Sequence, residues 1–266
     1  MSKAPGREAE GSVRFDFSGH VAVVTGGSSG IGAATVELLA TAGARVAVLS
    51  RSEARARDAL SRLPKDAPPA TWIGCDATDE AAVVAAFARI QDEVGVPTVL
   101  VNSAGLLMRA MAEETTKLAW DEVVAVNLTA TFLCSREAAR LMRREGRGSI
   151  VNVSSEAGLR GIKGLAAYSV AKAAVIELTR CMALDLADAG VRVNCVCPGT
   201  TRTPMVLEAV AATADPDAEL RRYATVRPLQ RLGTPREIAT AIGYLASDDA
   251  AYTTGSVLAV DGGYTA

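Results

Sequence analysis

The sequence has little that would suit a metal enzyme, a secreted protein or a membrane protein. Its 266 residues include a single histidine, His20. That residue precedes the first strand-like segment, which argues against histidine-dependent hydrolysis and against a histidine-ligated metal. No apolar run approaches the roughly 18 residues that span a bilayer. The amino-terminal segment mixes both charge signs and lacks the apolar stretch of a secretory signal, so we expect a cytoplasmic protein without a membrane partner or a metal.

Charge of one sign and paired cysteines are also scarce. The net charge is −2 at pH 7, and basic residues form no block longer than pairs such as Arg143–Arg144. A basic face for nucleic acid is therefore not expected. The five cysteines are odd in number and scattered, which suits a reducing compartment. Cys195 and Cys197 form a C-x-C within a strand-like run, without another ligand cluster nearby. They are better interpreted as buried structural thiols than as metal ligands.

Short β-branched runs alternate along the chain with longer Ala-rich segments of helical period, the pattern of βαβ units. The near-continuous apolar character of the strands predicts a parallel sheet with helices on both faces. Helices are expected from about Gly32, Glu53, Asp79, Ala119, Ala167 and Pro235. Seven strands are predicted, at residues 21–25, 45–50, 70–76, 98–103, 149–155, 192–199 and 256–262. No repeat or Pro-rich linker interrupts the pattern, so residues 17–266 are expected to form one α/β domain after a flexible tail at residues 1–16.

A glycine-rich turn, T-G-G-S-S-G-I-G at residues 25–32, runs from the first predicted strand into a helix. Its glycines allow a sharp turn and a close approach of a dinucleotide pyrophosphate, and the helix N-terminus supplies free N–H groups. The spacing G-x3-G-x-G differs from the usual G-x-G-x-x-G fingerprint, and such turns also merely connect elements. The position at the first βα junction favours phosphate binding. It predicts a Rossmann-type, doubly wound fold with a seven-stranded, mostly parallel sheet.

Tyr168 and Lys172 form a Y-x-x-x-K on one face of a predicted helix, and Ser155 ends the fifth predicted strand thirteen residues before the tyrosine. Carbonyl reduction by hydride transfer needs a proton delivered to the developing alkoxide. A nearby ammonium lowers the pKa of a tyrosine from about 10, while a serine hydroxyl can polarise the substrate oxygen. Ser154 is a rival to Ser155. Successive strand residues face opposite ways, and the spacing of thirteen favours Ser155.

Together these motifs resemble the classical short-chain dehydrogenases/reductases over nearly the whole chain from about residue 17. The family's T-G-x3-G-x-G loop matches residues 25–32. Its N-N-A-G motif appears as N-S-A-G at residues 102–105, with serine in place of the second asparagine, and its Pro-Gly motif lies at residues 198–199. The resemblance implies an NAD(P)-dependent oxidoreductase that transfers a hydride between the cofactor and an alcohol or ketone, with Tyr168 as the acid/base. A homotetramer is implied as well.

The resemblance also assigns individual residues. The catalytic tetrad would be Asn127, Ser155, Tyr168 and Lys172. In it Asn127 helps hold a water linked to the lysine, or alternatively supplies an inward amide that satisfies a helix irregularity. Asp76 would contact the adenine and Thr203 the nicotinamide carboxamide or the phosphates, whereas Thr201 stands where the family usually has Ile or Val. The implied cofactor contacts are Gly26, Ser28, Ser29, Gly30, Ile31, Gly32, Ser50, Arg51, Asp76, Ala77, Asn102, Ala104, Gly105, Tyr168, Lys172, Pro198, Gly199, Thr201 and Thr203.

The second predicted strand ends in L-S-R at residues 49–51. It therefore offers no carboxylate for the adenosine ribose, and Arg51 suits a 2′-phosphate. NADP(H) is favoured on this ground and NAD(H) remains possible. The loop carries Ser29 where many NADP-preferring relatives have a second basic residue.

The substrate pocket is expected beyond the strand ends, with a substrate loop around residues 200–225. By resemblance it is built from the segments around residues 106–108, 156–163 and 200–210, whose side chains suggest a partly apolar pocket. Arg109, Arg160 and Lys163 either meet an anionic group there or lie on solvated surface. The C-terminal stretch resembles 3-oxoacyl-thioester reductases and sugar or polyol dehydrogenases. Ala189, where carrier-protein reductases often have arginine, weakens the carrier-protein version. A catalytically silent dinucleotide-binding regulator is the alternative from a different class. An epimerase or dehydratase of nucleotide sugars is a third interpretation. Such enzymes resemble the extended branch of the family, whose longer chains and T-G-x2-G-x2-G loop are not found in this sequence.

Overall fold

The computed structural model describes residues 13–266. Its centre is a seven-stranded sheet in the order β3-β2-β1-β4-β5-β6-β7, and every neighbouring pair is parallel. This confirms the predicted Rossmann-type architecture. The strands are β1 Val21–Thr25, β2 Arg45–Ser50, β3 Ala70–Gly74, β4 Val99–Asn102, β5 Gly148–Val153, β6 Val191–Pro198 and β7 Val257–Val260.

Helices cover both faces of the sheet. Alternate residues of one strand enter different cores. Val23 packs with residues of three helices on one face, Glu80–Glu93, Ala130–Glu145 and Ala166–Leu186, and Val24 packs with residues of two helices on the other, Gly30–Thr41 and Pro235–Ala246. Burial on both faces explains why the strands read as continuous apolar runs. The helices are α1 Gly30–Thr41, α2 Glu53–Leu60, α3 Glu80–Glu93, α4 Lys117–Val124, α5 Ala130–Glu145, α6 Glu156–Leu159, α7 Ala166–Leu186, α8 Pro204–Ala211, α9 Pro216–Thr225 and α10 Pro235–Ala246.

The strand order indicates where a ligand would bind to the sheet. The chain moves outward from β1 to β2 and β3, then returns to place β4 on the other side of β1. Ligands of open parallel sheets bind in the crevice at the carboxyl ends of the strands where the order reverses. The ends of β1 and β4 are therefore where a cofactor would be expected.

Three segments differ from expectation. The predicted helix from Ala119 begins at Lys117 and is interrupted by a π-helical turn, Ala125–Thr129, between α4 and α5. The expected substrate loop contains α8 and α9. Residues 1–12 of the expected tail lie outside the described residues. Phe15 packs against the core and lies 6.2 Å, centroid to centroid, from the Phe17 ring, so the packed chain extends beyond the expected start at residue 17.

Within residues 13–266, no helix combines the length and the apolarity needed to cross a bilayer.

Candidate active site

The turn after β1 exposes its backbone because glycine occupies two positions, Gly26 and Gly32, at which a side chain would clash with neighbouring backbone. A Cβ at Gly26, whose φ is +66°, would lie 2.8 Å from the Ala104 Cα, and one at Gly32 would lie 2.3 Å from the Gly26 carbonyl oxygen. Thr25 Oγ1 accepts hydrogen bonds from the backbone N–H of Ser103 and of Ala104, at 3.1 and 3.2 Å. These contacts fasten the ends of β1 and β4 together. The exposed backbone of the turn at residues 25–32 forms a surface, called the glycine cradle below, against which a pyrophosphate could lie.

Helix α1 opens toward this cradle. Ser29 is its N-cap but makes no side-chain capping bond, so N–H groups of the first turn remain available to an anion. A Cβ at Gly30 would lie 3.2 Å from Thr203 Cβ, which places Thr203 directly beside the loop. The donor set and the missing side chains fit the diphosphate of a dinucleotide.

The end of β2 presents two arginines rather than one. Arg51 and Arg55 both line the crevice, whereas the sequence had suggested Arg51 alone. The Ser50 hydroxyl accepts a hydrogen bond from Trp72 Nε1 at 3.2 Å, which ties this end of the strand to β3. Arg55 lies in the first turn of α2, whereas Arg51 precedes the helix, so no helical spacing in the sequence links the two, and only the fold shows that both line the crevice.

Asp76 lies beyond β3 at the same rim of the crevice. Its Oδ1 accepts hydrogen bonds from the backbone N–H and the hydroxyl of Thr78, at 3.0 and 2.7 Å. These bonds, with a smaller attraction from Arg51, hold the pKa of Asp76 below its usual value. The carboxylate is therefore ionised and already oriented at neutral pH.

Most of the expected cofactor residues line this one crevice, but Gly32 and Asn102 do not belong to its lining. Gly32 lies behind the loop. Asn102 is buried in the sheet, where its Nδ2 donates to Ser135 Oγ at 2.8 Å and to Asn152 Oδ1 at 2.9 Å. Asn102 thus supports β4 from inside, and direct contact with a cofactor is not what this geometry favours.

Ser155, Tyr168 and Lys172 converge on the same crevice. Ser155 hydrogen-bonds to the Tyr168 phenol, and its Oγ also accepts from the Ala157 N–H at 3.1 Å. Lys172 Nζ lies 5.7 Å from the centroid of the Tyr168 ring and donates to the Val153 carbonyl at 2.9 Å. The hydroxyl of Ser154 instead donates to the Lys172 carbonyl at 2.7 Å. The two serines therefore face opposite ways, and Ser155 is the one beside Tyr168.

Burial sets the protonation states of this group. Desolvation raises the pKa of Tyr168 to about 12, and the hydrogen bond from Ser155 only partly opposes it. Desolvation lowers the pKa of Lys172 to about 8. The expected lowering of the tyrosine pKa is wrong for the protein alone, because the loss of solvation outweighs the stabilisation of the phenolate. At neutral pH Tyr168 is a phenol, and most of Lys172 is an ammonium ion.

Asn127 occupies the π-helical turn between α4 and α5 and is fully buried. Its Nδ2 donates to the carbonyls of Val123 and Leu106, both at 2.9 Å, and its Oδ1 accepts from the Leu106 N–H at 3.2 Å. A Cβ at Gly105 would lie 3.2 Å from Asn127 Oδ1 and 3.7 Å from Lys172 Nζ. The amide thus hydrogen-bonds backbone groups at the π-helical turn and in the loop after β4, and these bonds hold the loop beside Lys172.

Cys195 and Cys197 are fully buried in β6, with their sulfur atoms 3.9 Å apart. His20 lies at the opposite end of the sheet, where its Nδ1 is 3.1 Å from Thr98 Oγ1. No group of three or more His, Cys, Asp or Glu side chains that could hold a metal occurs in the described part of the chain.

A glycine cradle, an open helix terminus and a Ser-Tyr-Lys group define a nicotinamide-dependent oxidoreductase site. A family model described as "Enoyl-(Acyl carrier protein) reductase" matches residues 26–265. The chain belongs to the short-chain dehydrogenase/reductase family, whose dehydrogenases use NAD(P), and it is an oxidoreductase acting on CH–OH groups.

Individual relatives match along nearly their whole lengths. The cis-4-hydroxycyclohexanecarboxylate dehydrogenase of Sinomonas cyclohexanicum is 44% identical, over 94% of this chain and 98% of its own. The 2-(S)-hydroxypropyl-CoM dehydrogenase 3 of Xanthobacter autotrophicus is 41% identical, over 92% and 96%. Among solved structures, levodione reductase superposes with a TM-score of 0.89 at 32% identity, covering 95% of this chain and 99% of that one.

Proposed function

We propose that this protein catalyses reversible hydride transfer between NADP(H) and an alcohol or ketone, with Asn127, Ser155, Tyr168 and Lys172 as its catalytic tetrad. The observation that carries the proposal is the convergence of Ser155, Tyr168 and Lys172 on the crevice that also contains the glycine cradle. A silent regulator would have no need of a phenol, a hydroxyl and a buried lysine at the edge of a cofactor crevice.

The bound cofactor supplies or accepts the hydride. In the reducing direction the Ser155 hydroxyl donates a hydrogen bond to the substrate oxygen, and this bond strengthens as negative charge develops there. The Tyr168 O–H transfers its proton to that oxygen, which completes the alcohol. The Lys172 ammonium stabilises the resulting phenolate. Alcohol oxidation reverses each proton movement.

The substrate class is tested by turnover. Simple ketones, 3-oxoacyl thioesters, polyols and cis-4-hydroxycyclohexanecarboxylate, the compound named for one relative, would each be assayed with both cofactors by absorbance at the nicotinamide band. We expect turnover in at least one class. Tight cofactor binding without turnover of any compound would instead support the regulator.

We expect NADPH to bind more tightly than NADH because Arg51 and Arg55 both line the crevice near the end of β2. A charge-assisted contact to the 2′-phosphate corresponds to roughly 10- to 150-fold in affinity. Arg51→Ala should therefore raise the Kd of NADPH by about that factor and leave the Kd of NADH nearly unchanged, as measured by fluorescence titration. Arg55→Ala should act in the same direction.

Arg57→Ala is the matched control for this cofactor test. Arg57 lies on the same helix, but it is exposed, pairs with Glu53 at 2.5 Å and is not part of the crevice. Equal or tighter binding of NADH by the wild type, or an unchanged NADPH/NADH ratio in both crevice variants, would reject the proposed preference.

A homotetramer is proposed for the assembly because two helical segments expose large apolar side chains. Leu118 of α4 is 80% exposed and Leu184 of α7 is 82% exposed, with Phe132 and Val170 also exposed on α5 and α7. Burying such a face against a second copy would remove it from water. Multi-angle light scattering at micromolar concentration should give four times the chain mass of 27.5 kDa. A monomer would contradict the proposal.

A further inference from the structure

The substrate end of the crevice holds more positive charge than the proposed chemistry uses. Arg51, Arg55 and Lys172 are assigned to the cofactor and the proton transfer. Five further basic side chains line the same crevice, namely Arg109, Arg160, Lys163, Arg222 and Arg227. The chain as a whole carries a net charge of −2, so this concentration of positive charge is local.

Two of the five are neutralised by carboxylates. Arg227 is buried and donates to Glu156 Oε1 at 2.5 Å, with Thr200 Oγ1 at 2.6 Å as its second partner. Arg222 pairs with Glu219 at 2.6 Å. Arg227 thus connects the end of α9 to α6 and to Thr200, whereas Arg222 pairs within α9, and the charge of both arginines is balanced.

Arg109 and Arg160 are held in a different way. Arg109 Nη2 donates to the Tyr223 hydroxyl at 2.6 Å. The Arg160 guanidinium lies 4.8 Å from the centroid of the Tyr264 ring, and its Nη1 is 3.5 Å from the Tyr264 carbonyl. No carboxylate lies within 4 Å of either guanidinium in the described part of the chain. Glu219, the partner of Arg222, attracts Arg109 only from beyond this distance. A phenol and an aromatic face therefore position the two arginines without a direct carboxylate contact, and most of their N–H donors are not used by these contacts.

The rest of this end is apolar. Apolar side chains from four segments share the lining with Arg109, Arg160 and Tyr168. They are Leu107, Ile162, Met205, Val206 and Val226. A ligand that extends from Tyr168 to the arginines would therefore carry its reacting oxygen at one end, an apolar segment in the middle and an anionic group at the other.

We propose that Arg109 and Arg160 form an anion subsite, and that the preferred substrates are oxo acids or hydroxy acids whose carboxylate is separated from the reacting carbon by an apolar spacer. This rests on the proposed function and specifies its substrate class. Arg109 and Arg160 are specificity-determining residues in this assignment. Lys163, exposed at the same rim, adds to the positive potential that attracts the carboxylate.

The first test compares each oxo acid with its uncharged partner. Reduction of 4-oxopentanoate, 5-oxohexanoate and 6-oxoheptanoate would be measured beside the corresponding primary amides. Each amide has nearly the same shape as its acid and no charge, and the three acids differ in the length of the spacer. For at least one length the wild type should show a kcat/KM at least about tenfold higher for the carboxylate, as expected of a charge-assisted pair. A carboxylate/amide ratio near one at every length would overturn the proposal.

The variants locate the effect. Arg109→Gln and Arg160→Gln should each lower kcat/KM for the preferred oxo acid by about 10- to 100-fold, mainly through KM, and change it little for the amide. Arg221→Gln is the matched control, because Arg221 is exposed beside Arg222 and does not line the crevice. A carboxylate preference that survives both crevice substitutions would also overturn the assignment.

A binding measurement separates the subsite from the catalytic proposal. Calorimetric titration of the enzyme, with and without NADP+, should give a lower Kd for heptanoate than for heptanamide, and Arg160→Gln should abolish the difference. If heptanoate binds in this way but no ketone is reduced, the subsite stands and the proposed activity fails. If uncharged ketones are reduced and heptanoate binds no better than heptanamide, the activity stands and the subsite fails.

Discussion

Tyr168→Phe is expected to lower kcat by about 10²- to 10⁴-fold while leaving the Kd of NADPH nearly unchanged, because the substitution removes one proton donor and leaves the glycine-rich turn, Arg51, Arg55 and Lys172 in place. The phenol beside Ser155 is the proposed acid, and its raised pKa of about 12 keeps it protonated throughout the neutral range. Without its hydroxyl, the developing alkoxide has to take a proton from water. Single-turnover reduction of a ketone at saturating NADPH measures the step directly.

The control for this prediction is another tyrosine in the same chain. Tyr252 is fully exposed and does not line the crevice, so Tyr252→Phe should retain wild-type kinetics. If Tyr168→Phe retained more than a tenth of the wild-type kcat, Tyr168 could not be the main proton donor. A large rise in the Kd of NADPH would show instead that the cofactor crevice had been disturbed.

Lys172→Met is expected to impair both kcat and cofactor affinity. The position of the lysine suits both proton transfer and cofactor binding. Its Nζ is 5.7 Å from the centroid of the Tyr168 ring, and its side chain lines the crevice beside Gly105. Removing the ammonium removes the charge that stabilises the phenolate and a donor that would reach the nicotinamide ribose. If only one of the two parameters changed, the dual role would be rejected.

The pH profile provides a second readout for Lys172. Because burial lowers the pKa of Lys172 to about 8, the ammonium is present below that pH and is lost above it. For ketone reduction kcat/KM should therefore be highest below pH 8 and fall as the pH rises through it. The Lys172→Met variant should lack this decline. Lys117→Met, which removes an exposed lysine on α4, should preserve it.

Much of the site was predictable because the relevant signals are local. The turn at residues 25–32 needs glycine where backbone approaches backbone, and the Cβ contacts at Gly26 and Gly32 give the physical reason. Alternation along a strand implied that only one of Ser154 and Ser155 can face the substrate, and the spacing of thirteen residues to Tyr168 favoured Ser155. The sheet was predictable for the same kind of reason, because strands buried on both faces carry nearly uninterrupted apolar sequences.

Other features depend on distances between remote residues. The pairs Arg227–Glu156 and Arg109–Tyr223 join positions 71 and 114 residues apart, and no period or spacing in the sequence links them. The pKa of Tyr168 likewise depended on how far the folded chain excludes water from the phenol. Sequence reasoning accounted for the charge of the lysine and not for desolvation, which is the largest cause of the raised pKa of Tyr168.

The sequence by itself determined the doubly wound α/β class and the glycine-rich turn, and it pointed to Tyr168 as the proposed proton donor, because each is encoded in residue types a few positions apart on one element or turn. Only the tertiary structure decided that Arg55 joins Arg51, that Asn102 supports β4 from within, and which arginines at the substrate end are in direct contact with a carboxylate. The physical reason is that charge balance and solvation depend on every group within a few ångströms, and in this fold those groups come from segments scattered along the whole chain.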